Sequence, residues 1–420
     1  MGRSLMDGLF FIHQPCYIGD MNFKSSIKKI IPPFMLSWYH WGLAFWGALM
    51  YGFPSKKLIV IGVTGTSGKT TTVDFITRIL EEEGTTVASI SSVRFKIGKK
   101  EWKNEMKMSM GGRLKNQKFL RQAGDAGCKY VVLEVTSEGI KQHRHRFIHF
   151  DTAVFTNLSP EHIESHGSFE NYRNEKLKLF RATKHVHVVN RDDKNAQYFM
   201  GVPAEKIVTF GLEKGDVNLK NTKFHLNVLG DFNNYNALAA IAVAHAYNIS
   251  PQTAARALEK VQGIPGRMEI VSQKPLVVVD YAHTPEQLEK VYQTLSRKRS
   301  KLICVLGSCG GGRDKWKRPV LGQRAAQYCT EIIVTNEDPY EEDPMSIINQ
   351  VAQTAGDKAQ RIVDRKEAIY KAVAMAGEED TVVITGKGSE PLMCVAHGVK
   401  IPWDDRHIAR QALSGEAIDK

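Results

Sequence analysis

A short loop near residue 65 carries the residue types that bind a polyphosphate. Residues 59–72 read I-V-I-G-V-T-G-T-S-G-K-T-T-T. Gly65 and Gly68 allow the backbone to turn its N–H groups inward. Lys69 supplies a positive charge, and Thr70 offers a hydroxyl group to a metal ion. A plain glycine-rich turn would explain only the glycines, so the loop predicts a nucleotide site. The residues expected to contact the nucleotide there are Gly65, Thr66, Ser67, Gly68, Lys69, Thr70 and Thr71.

A strand and a helix are expected to hold this loop. Residues 58–63 form a short apolar, β-branched run, which predicts a buried strand. Apolar residues at positions 73, 75, 76, 79 and 80 then recur with helical spacing. Val63 stands where the standard G-x-x-x-x-G-K-[ST] loop has its first glycine, so the match to that pattern is incomplete.

Length and composition indicate a globular protein of two or three domains. The chain has 420 residues, of which 42% are hydrophobic and 24% charged. Its formal net charge of +12 permits anionic partners such as nucleotides, phosphorylated substrates, nucleic acid or an acidic membrane face, and charge alone does not choose among them. Because no nucleic-acid-binding motif accompanies the basic residues, no nucleic-acid partner is expected. The six cysteines form no C-x-x-C pair, which argues against a disulfide framework or a zinc site and fits a reducing cytoplasm.

The first 53 residues differ in composition from the rest of the chain. Met21 is an alternative translation start, which would make residues 1–20 an upstream extension. Residues 34–53 contain no Lys, Arg, Asp or Glu, are rich in aromatic side chains, and have lysines on both sides. This pattern predicts a helix that spans a bilayer, lies on its surface, or packs on the protein. Membrane association is preferred, and it predicts a cytoplasmic protein at the inner face of the membrane.

A second strand is expected to bring an acidic residue to the loop. Residues 129–135 form an apolar run that carries Glu134 near its end, and residues 153–157 form a third run. A carboxylate at the end of a strand beside a phosphate loop is a common magnesium ligand. The alternative is a glutamate that faces solvent, but the three apolar residues before Glu134 favour the metal role.

A series of motifs, all in the same order, resembles a known family. After the third strand the chain reads L-S-P-E-H-I-E-S-H-G-S-F-E-N-Y-R-N-E-K-L-K-L-F. It continues with F-N-N-Y-N-A-L-A-A, G-R-M-E, D-Y-A-H-T-P-E-Q-L-E, G-G-G-R-D-K-W-K-R-P, T-N-E-D-P-Y-E-E-D-P and G-K-G-S-E. With the phosphate loop and L-E-V-T-S-E-G-I, these motifs extend over residues 58–410. The chain resembles the Mur ligase family, the ATP-dependent amide-bond ligases of cell-wall peptide assembly, and most of all its tripeptide synthetases.

The resemblance implies an α/β fold with two main domains. Residues 1–53 would form an N-terminal extension with the aromatic helix, 54–265 a central P-loop ATPase domain, and 266–420 a C-terminal Rossmann-like domain. The sequence G-I-P-G at 263–266 is the expected hinge. Beyond it, strand-like and helix-like runs alternate, which by itself predicts a doubly wound sheet. The strand-like runs are residues 276–279, 301–306, 331–335 and 381–385.

The reaction of the family assigns roles to residues of the central domain. Mur ligases join a carboxylate to an amine through an acyl phosphate made from ATP. By resemblance, Lys69 holds the β- and γ-phosphates, while Thr70 and Glu134 bind magnesium. His162 matches a magnesium-linked histidine. Lys176 matches a lysine that is carbamylated in relatives and would then bind a second magnesium ion; the alternative is a solvated lysine on a helix.

Other matches suggest contacts to the nucleotide outside the loop. Asn233 and Asn236 begin an alanine-rich helix that, by resemblance, lies against the adenine, although asparagine is also a common helix N-cap. Asp280 and His283 follow a strand of the C-terminal domain and are assigned to the nucleotide as well.

Two basic residues are candidates for stabilising the transferring phosphoryl group. Arg313 and Lys315 follow a glycine-rich stretch that matches the family motif. They could reach the phosphates across a cleft between the domains. The alternative is an exposed basic loop over residues 313–318.

Two departures from the family pattern affect the substrate. Tripeptide synthetases begin with a domain that binds the UDP part of the acceptor, whereas here only the aromatic segment precedes the phosphate loop. The D-N-P-R motif of diaminopimelate enzymes reads E-D-P-Y, and Tyr340 cannot grip a distal carboxylate as arginine does. A neutral or cationic side chain such as that of lysine is therefore expected, with Asp338 facing its ammonium group. The residues assigned to the substrate are Glu337, Asp338, Tyr340, Gly386 and Glu390.

The leading hypothesis is an ATP- and magnesium-dependent ligase that adds an amino acid to a peptidoglycan-precursor peptide. Two magnesium ions are expected. One alternative is a ligase of the same superfamily with a polyglutamate, folate or cyanophycin type of acceptor; another is a membrane-tethered nucleotide-binding partner protein. Retention of Lys69, Glu134, His162 and Lys176 favours an enzyme. Its partners would be an amino acid and a UDP- or lipid-linked peptide, and the sequence leaves its oligomeric state open.

Overall fold

A computed structural model describes residues 32–106, 108–296 and 301–417. The alternative start at Met21 and the extension over residues 1–20 lie outside these ranges. Up to residue 265, helices alternate with short strands. In chain order these elements are α1 (Pro33–Met50), β1 (Ile59–Thr64), α2 (Lys69–Glu82), β2 (Val87–Ile90), β3 (Arg94–Ile97), β4 (Lys100–Lys103), α3 (Arg113–Asp125), β5 (Tyr130–Glu134), α4 (Ser137–Lys141), β6 (Thr152–Phe155), α5 (Ile163–His166), α6 (Phe169–Ala182), β7 (Val186–Asn190), α7 (Ala196–Met200), β8 (Lys206–Phe210), α8 (Asn233–Ala246) and α9 (Pro251–Glu259).

These strands form one eight-stranded sheet in the order β4-β3-β2-β5-β1-β6-β7-β8. All neighbours are parallel except the β2-β3-β4 edge, which is antiparallel. The three strands expected around the loop are confirmed as β1, β5 and β6. Strand β1 lies between the other two, and Val63 is in register with both Glu134 and Val154. The loops that follow these strands therefore begin side by side.

Helices cover both faces of this sheet. Helices α2, α8 and α9 pack on one face, and α3, α6 and α7 pack on the other. The buried surface of α8 is made largely of small side chains such as Ala237, Ala240 and Ala244, which lets this helix lie close against α2. The packing of α8 on α2 brings the start of α8 to the phosphate loop.

The second part of the chain forms a six-stranded sheet in the order β13-β12-β11-β14-β10-β9. Helices on both faces make it doubly wound, which confirms the expected α/β fold class. The strands predicted at 276–279, 301–306, 331–335 and 381–385 are confirmed as four parallel strands. The elements are β9 (Glu269–Gln273), β10 (Leu276–Val279), α10 (Pro285–Ser296), β11 (Leu302–Leu306), α11 (Lys317–Tyr328), β12 (Glu331–Thr335), α12 (Pro344–Ala352), β13 (Ala359–Ile362), α13 (Arg365–Ala374), β14 (Thr381–Ile384), β15 (Leu392–Cys394), β16 (Lys400–Pro402) and α14 (Asp405–Ser414).

The expected aromatic helix is α1, and one side of it packs on α3. Ala44 and Ala48 are buried against α3. Gly47 allows a close approach at this crossing, because a Cβ there would lie 3.3 Å from the Cα of Leu114. Phe147 closes the contact with its ring 5.2 Å from that of Trp41. Among the described residues, no helix combines the length and apolar character needed to cross a bilayer.

Candidate active site

A cavity of about 570 Å³ lies where the two sheets face each other. The loops that follow parallel strands open into it, as expected for sheets of this type. Most of the residues predicted to bind nucleotide or metal line this cavity. They are Thr66, Ser67, Gly68, Lys69, Thr70, Thr71, Glu134, His162, Asn233, Asn236, Asp280, His283 and Arg313.

The phosphate loop is tightly packed from behind. Gly68 has φ of 79°, in the left-handed region, and a Cβ there would collide with the Asn236 side chain. A Cβ at Gly65 would collide with the hydroxyl of Thr156. The Ser67 N–H donates to Oδ1 of Asn157 at 2.9 Å, which fixes the loop against the end of β6. Only glycine fits at positions 65 and 68, so the loop keeps its backbone close to a bound ligand.

Two lysines meet at this loop, of which Lys176 is fully buried and Lys69 is partly buried. Lys69 Nζ donates to the carbonyl oxygens of Gly65 at 3.0 Å and Thr66 at 2.9 Å. Lys176 Nζ, brought in by α6, donates to the same Gly65 oxygen at 2.9 Å. Burial lowers the pKa of both amines, and that of Lys176 is lowered further by the charge on Lys69. The position of Lys176 is incompatible with the alternative of a solvated helix lysine.

Hard oxygen ligands lie directly beside the loop. The Thr70 hydroxyl donates to Oε2 of Glu134 at 2.9 Å, and the Ser92 N–H donates to the same oxygen at 2.9 Å. Glu134 is buried, so the alternative of a solvent-facing glutamate is wrong. A hydroxyl next to a carboxylate suits Mg²⁺. The described residues contain no group of three or more His, Cys, Asp or Glu side chains that could hold a metal, so the predicted set depends on Thr70 and Lys176 as well.

His162 is held in an unusual backbone conformation. Its φ of 58° places it in the left-handed region at the start of α5. Burial and the nearby charge of Arg313 lower the pKa of His162 to about 2. The imidazole is therefore neutral at physiological pH, which is the form that binds metal ions.

Glu161 is a site residue that the sequence analysis missed. Its Oε1 accepts from Lys317 Nζ at 3.1 Å, while its buried Oε2 has no hydrogen-bond partner among the described residues. Burial raises the pKa of Glu161. The only signal in the sequence was its place next to His162 in the motif P-E-H-I. An unpartnered carboxylate oxygen in this cavity is a further candidate for contact with a cation or a proton donor.

The two asparagines at the start of α8 face the phosphate loop. Asn236 accepts from the Thr72 hydroxyl at 3.4 Å and donates to Oδ1 of Asn233 at 2.9 Å. Neither side chain caps α8, whose first turn has no side-chain cap hydrogen bond. The N-cap alternative therefore does not account for them.

Asp280 and His283 lie at the opposite wall but make mainly internal contacts. Asp280 accepts from the N–H groups of Met268 and Ala282, both at 2.7 Å, and burial raises its pKa. His283 Nδ1 lies 2.9 Å from the Tyr281 carbonyl oxygen, and burial lowers the pKa of His283. These contacts shape the turn after β10, so the predicted nucleotide role of both residues stays a prediction.

The two basic residues assigned to phosphoryl transfer differ in placement. Arg313 lines the cavity. Lys315 is 56% exposed, its Nζ lies 3.3 Å from Oε2 of Glu342, and it is not among the lining residues of the described chain. The neighbouring Lys317 is buried instead and pairs with Glu161. The side chain of Lys315 is thus directed to Glu342 and not into the cavity.

Arg267, which was also missed, joins the two parts of the chain at the predicted hinge. Its guanidinium lies 4.3 Å from the Tyr281 ring centre and donates to the Ser92 hydroxyl at 3.0 Å. The sequence signal is the motif G-R-M-E, which resembles the opening of a domain in the family but predicts no contact for Arg267. A second link is made by Asp314, which accepts from the N–H groups of Ile163 at 3.3 Å and Glu164 at 2.9 Å. Both links close the cleft around the phosphate loop.

Two of the residues assigned to the substrate, Asp338 and Glu390, contact Lys387. Its Nζ donates to Asp338 Oδ1 at 2.9 Å and to Glu390 Oε2 at 2.7 Å. The Asp338 carboxylate also accepts from the Cys394 N–H at 2.7 Å. The expectation that Asp338 faces an incoming ammonium group differs from this arrangement, because a buried lysine of the protein already occupies that place.

The other predicted substrate residues are close to this cluster. Glu337 is buried against Gly386 and accepts from the Cys309 thiol at 2.9 Å, and burial raises its pKa. Tyr340 has a left-handed φ of 51°, and its ring lies against Gly311. The two segments that carry the predicted substrate residues are thus in contact.

Comparisons with known proteins follow the same division of the chain. The Mur ligase middle domain matches residues 63–244, and the Mur ligase, glutamate ligase domain matches residues 266–388. The UDP-N-acetylmuramoyl-L-alanyl-D-glutamate--2,6-diaminopimelate ligase of Syntrophomonas wolfei is 38% identical over 407 residues, which cover 89% of this chain and 82% of that protein. The chain belongs to the Mur ligase family. It is therefore an ATP-dependent amide-bond ligase, and enzymes of this family use Mg²⁺.

Another Mur ligase and two solved structures are also similar to this chain. The UDP-N-acetylmuramyl-tripeptide synthetase of Roseiflexus sp. is 35% identical, covering 87% of this chain and 81% of its own length. A solved UDP-N-acetylmuramoyl-L-alanyl-D-glutamate--2,6-diaminopimelate ligase structure is 31% identical, with a TM-score of 0.57 over 86% of this chain and 79% of that one. Mycobacterium tuberculosis folylpolyglutamate synthase shares the fold, with a TM-score of 0.70, 17% identity, and coverage of 87% of this chain and 95% of that one.

Proposed function

We propose that this Mur ligase adds one amino acid to the peptide of a peptidoglycan precursor and releases ADP and phosphate. The observation that carries the proposal is the meeting of Lys69 and Lys176 at the Gly65 carbonyl, beside the Thr70 and Glu134 pair. The names of the relatives, which include a tripeptide synthetase and several diaminopimelate ligases, support this substrate class. In this proposal residues 54–265 bind ATP, residues 266–420 bind the amino acid, and residues 1–53 are an extension.

The residues of the cleft suit ATP and magnesium. Inward-facing N–H groups at the start of α2 and the charge on Lys69 would hold the β- and γ-phosphates. Asn233 and Asn236 would lie along the nucleotide, on the side of the cleft formed by α8. Thr70, Glu134, His162 and a carbamylated Lys176 would hold two Mg²⁺ ions, which neutralise charge on the phosphates when bound.

Carbamylation of Lys176 is supported by its surroundings. Only a neutral amine attacks CO₂, and burial beside Lys69 lowers the pKa of Lys176. The carbamate would be an anion, so it would attract Lys69 where the ammonium form repels it. It would also add the oxygen ligand that the described acidic residues do not supply.

The reaction would proceed in two displacements. A carboxylate oxygen of the acceptor attacks the γ-phosphorus, the bond to the β,γ-bridging oxygen breaks, and ADP leaves. Lys69 and Arg313 stabilise the charge of the transferring group. The amine of the incoming amino acid then attacks the carbonyl carbon of the acyl phosphate, and phosphate leaves. The amine must lose a proton in this step, and the buried carboxylate of Glu161 lies in the same cavity.

A neutral or cationic amino acid such as lysine remains the proposed co-substrate. Tyr340 lacks the bidentate donors that grip a distal carboxylate. Lys387 already neutralises Asp338 and Glu390, so a cationic side chain would have to replace one of these contacts. The relatives named for diaminopimelate make that amino acid the necessary comparison.

Peripheral membrane contact through residues 34–53 is part of the proposed function, with the enzyme at the inner face of the membrane. The absence of Asp and Glu from this stretch and its aromatic content support such contact.

Phosphate release from ATP by the purified chain tests the proposal. The assay uses a panel of amino acids, with and without UDP-muramyl dipeptide, in the presence of magnesium. Release that requires the acceptor and one amino acid is expected, and Lys69→Ala should abolish it. Lys99→Ala, at an exposed turn outside the cleft, is the matched control. Release only with another acceptor would move the enzyme to a different branch, and no release with any pair would contradict ligase function.

A further inference from the structure

Helix α1 exposes a continuous apolar stripe. Consecutive residues of a helix are about 100° apart, so positions 35, 38, 39, 46, 49 and 50 all fall within about one third of the circumference. Trp38 is 74% exposed and Trp46 is 63% exposed. Large apolar side chains rarely gather on a free surface without a partner. The stripe consists of Met35, Trp38, Tyr39, Trp46, Leu49 and Met50.

The opposite side of α1 fixes the helix to the protein. Ala44 and Ala48 are buried, and the Ser37 hydroxyl lies 2.8 Å from Nε2 of His143. Because these contacts set the rotation of the helix, the stripe points outward in the folded protein. A change of side-chain rotamers alone would therefore not bury the stripe in the core.

The charged residues nearest to α1 in the sequence are all basic. Residues 33–57 contain no Asp or Glu. Lys56 and Lys57 follow the helix and are exposed, and the adjoining α3 carries the exposed Lys115 and Lys118. Trp and Tyr favour the head-group region of a bilayer, and lysines beside it are attracted to anionic lipids. Apolar area with a basic rim complements an anionic lipid surface.

The position of α1 relates the stripe to the cleft. Helix α8, with Asn233 and Asn236, lies on the β7 and β8 side of the phosphate loop. Gln142 and Arg144 line the cleft from the other side, after β5. Helix α1 holds this second segment directly, through His143 and Phe147. It therefore lies at the end of the cleft away from the predicted adenine.

We propose that the stripe docks α1 into the surface of an anionic bilayer and that the adjoining end of the cleft receives an acceptor carried in that bilayer. The acceptor is then an amphiphile, with a lipid chain in the membrane and a peptide that reaches the phosphate loop. The docking stands on the stripe and its charges alone, whereas the choice of acceptor rests on the proposed ligase function.

Sedimentation with lipid vesicles tests the docking. The full chain should bind phosphatidylcholine vesicles that contain phosphatidylglycerol, and the double variant W38S/W46S should bind about tenfold more weakly. The variant K56E/K57E should lose about tenfold in affinity for anionic vesicles. Tyr198→Ser, at a 42% exposed aromatic residue on α7, is the matched control and should bind as the unaltered chain does.

Unaltered binding by both double variants, with their folding verified by circular dichroism, would overturn the docking. Any affinity of the chain for membranes would then come from residues outside the stripe and its lysines. Self-association of the chain that W38S/W46S abolishes, without vesicle binding, would also overturn it, because a second copy would then cover the stripe.

A comparison of two acceptors tests the proposal that the acceptor is carried in the bilayer. L-alanyl-D-glutamate with an N-terminal palmitoyl chain, held in anionic vesicles, should be used about tenfold more efficiently than the N-acetyl peptide in solution. W38S/W46S should lose this preference and keep its rate with the soluble peptide. Equal use of both peptides by the unaltered chain would overturn the bilayer-borne acceptor. Failure with every acceptor would instead contradict the ligase function, and the sedimentation result would still decide the docking.

Discussion

Lys69 and Lys176 donate to one and the same oxygen, the carbonyl of Gly65, at 3.0 and 2.9 Å. Two ammonium groups that share an acceptor repel each other, and this repulsion adds to burial in lowering the pKa of Lys176. The pair is therefore most stable when Lys176 is neutral or has become an anion. A carbamate would meet that condition and would supply a metal ligand at the same place.

Replacement of Lys176 is expected to separate catalysis from folding. Lys176→Ala should lower ligase activity about a hundredfold, because a metal ligand is lost, and acetate or propionate should restore part of it. Lys178→Ala, at an exposed position two residues along the same helix and about 200° around it from Lys176, should keep full activity. Carbon-13 NMR in labelled bicarbonate should show a carbamate signal that Lys176→Ala lacks. Full activity of Lys176→Ala would remove the second-metal role.

Much of the fold follows from local pattern. The buried β-branched runs predicted β1, β5, β6 and four strands of the second sheet, because strands covered on both faces are apolar throughout. The phosphate loop was likewise predictable, since glycine spacing and a lysine at a helix start act within a few residues. Motif resemblance also predicts that Glu134, His162 and Lys176 lie near that loop.

What the sequence left out depends on contacts between distant segments. Glu161 and Lys317 are 156 residues apart, and neither has a local pattern that announces a buried pair. Asp338 was expected to face a substrate, but its carboxylate instead accepts a hydrogen bond from Lys387, which is 49 residues later in the chain. Periodicity could not show which side of α1 is buried either, because both sides are apolar.

The Glu161 and Lys317 pair should couple the two parts of the chain. Glu161→Gln or Lys317→Met alone should lower the free energy of unfolding by about 3 kcal/mol, because each leaves one buried charge without its partner. The double variant should lose much less than the sum, as measured by urea unfolding in a double-mutant cycle. Lys315→Met, which removes an exposed ammonium, is the control and should change stability by less than about 1 kcal/mol. Additive losses would show that the pair is not coupled.

His145 should make the protein sensitive to acid. Burial and the nearby charge of Arg146 lower its pKa to about 3. Between about pH 6.5, the pKa of a histidine in the unfolded chain, and about pH 3, the unfolded chain binds more protons than the folded protein. The contribution of His145 to the free energy of unfolding is therefore fully present above about pH 6.5 and is lost as pH falls.

Replacement of His145 should reduce the loss of unfolding free energy at acidic pH. From about pH 6 to about pH 4, His145→Gln should lose about 2 kcal/mol less unfolding free energy than the unaltered chain. Urea unfolding at the two pH values provides the measurement. His149→Gln, at an exposed histidine four residues away, should leave the loss as it is. An identical pH dependence in His145→Gln would mean that His145 is charged in the folded state.

Tyr340 should lower the preference of the enzyme for an amino acid that carries a second carboxylate. Its left-handed φ of 51° and its ring contact with Gly311 hold the side chain at the predicted substrate segment. Tyr340→Arg should raise kcat/KM for diaminopimelate relative to lysine about tenfold or more, because a guanidinium binds a carboxylate through two hydrogen bonds. Tyr340→Phe keeps the ring without the new charge and should preserve the original ratio. Competition assays with both amino acids in one mixture measure that ratio, and a Tyr340→Arg variant with an unaltered ratio would place amino acid selection elsewhere.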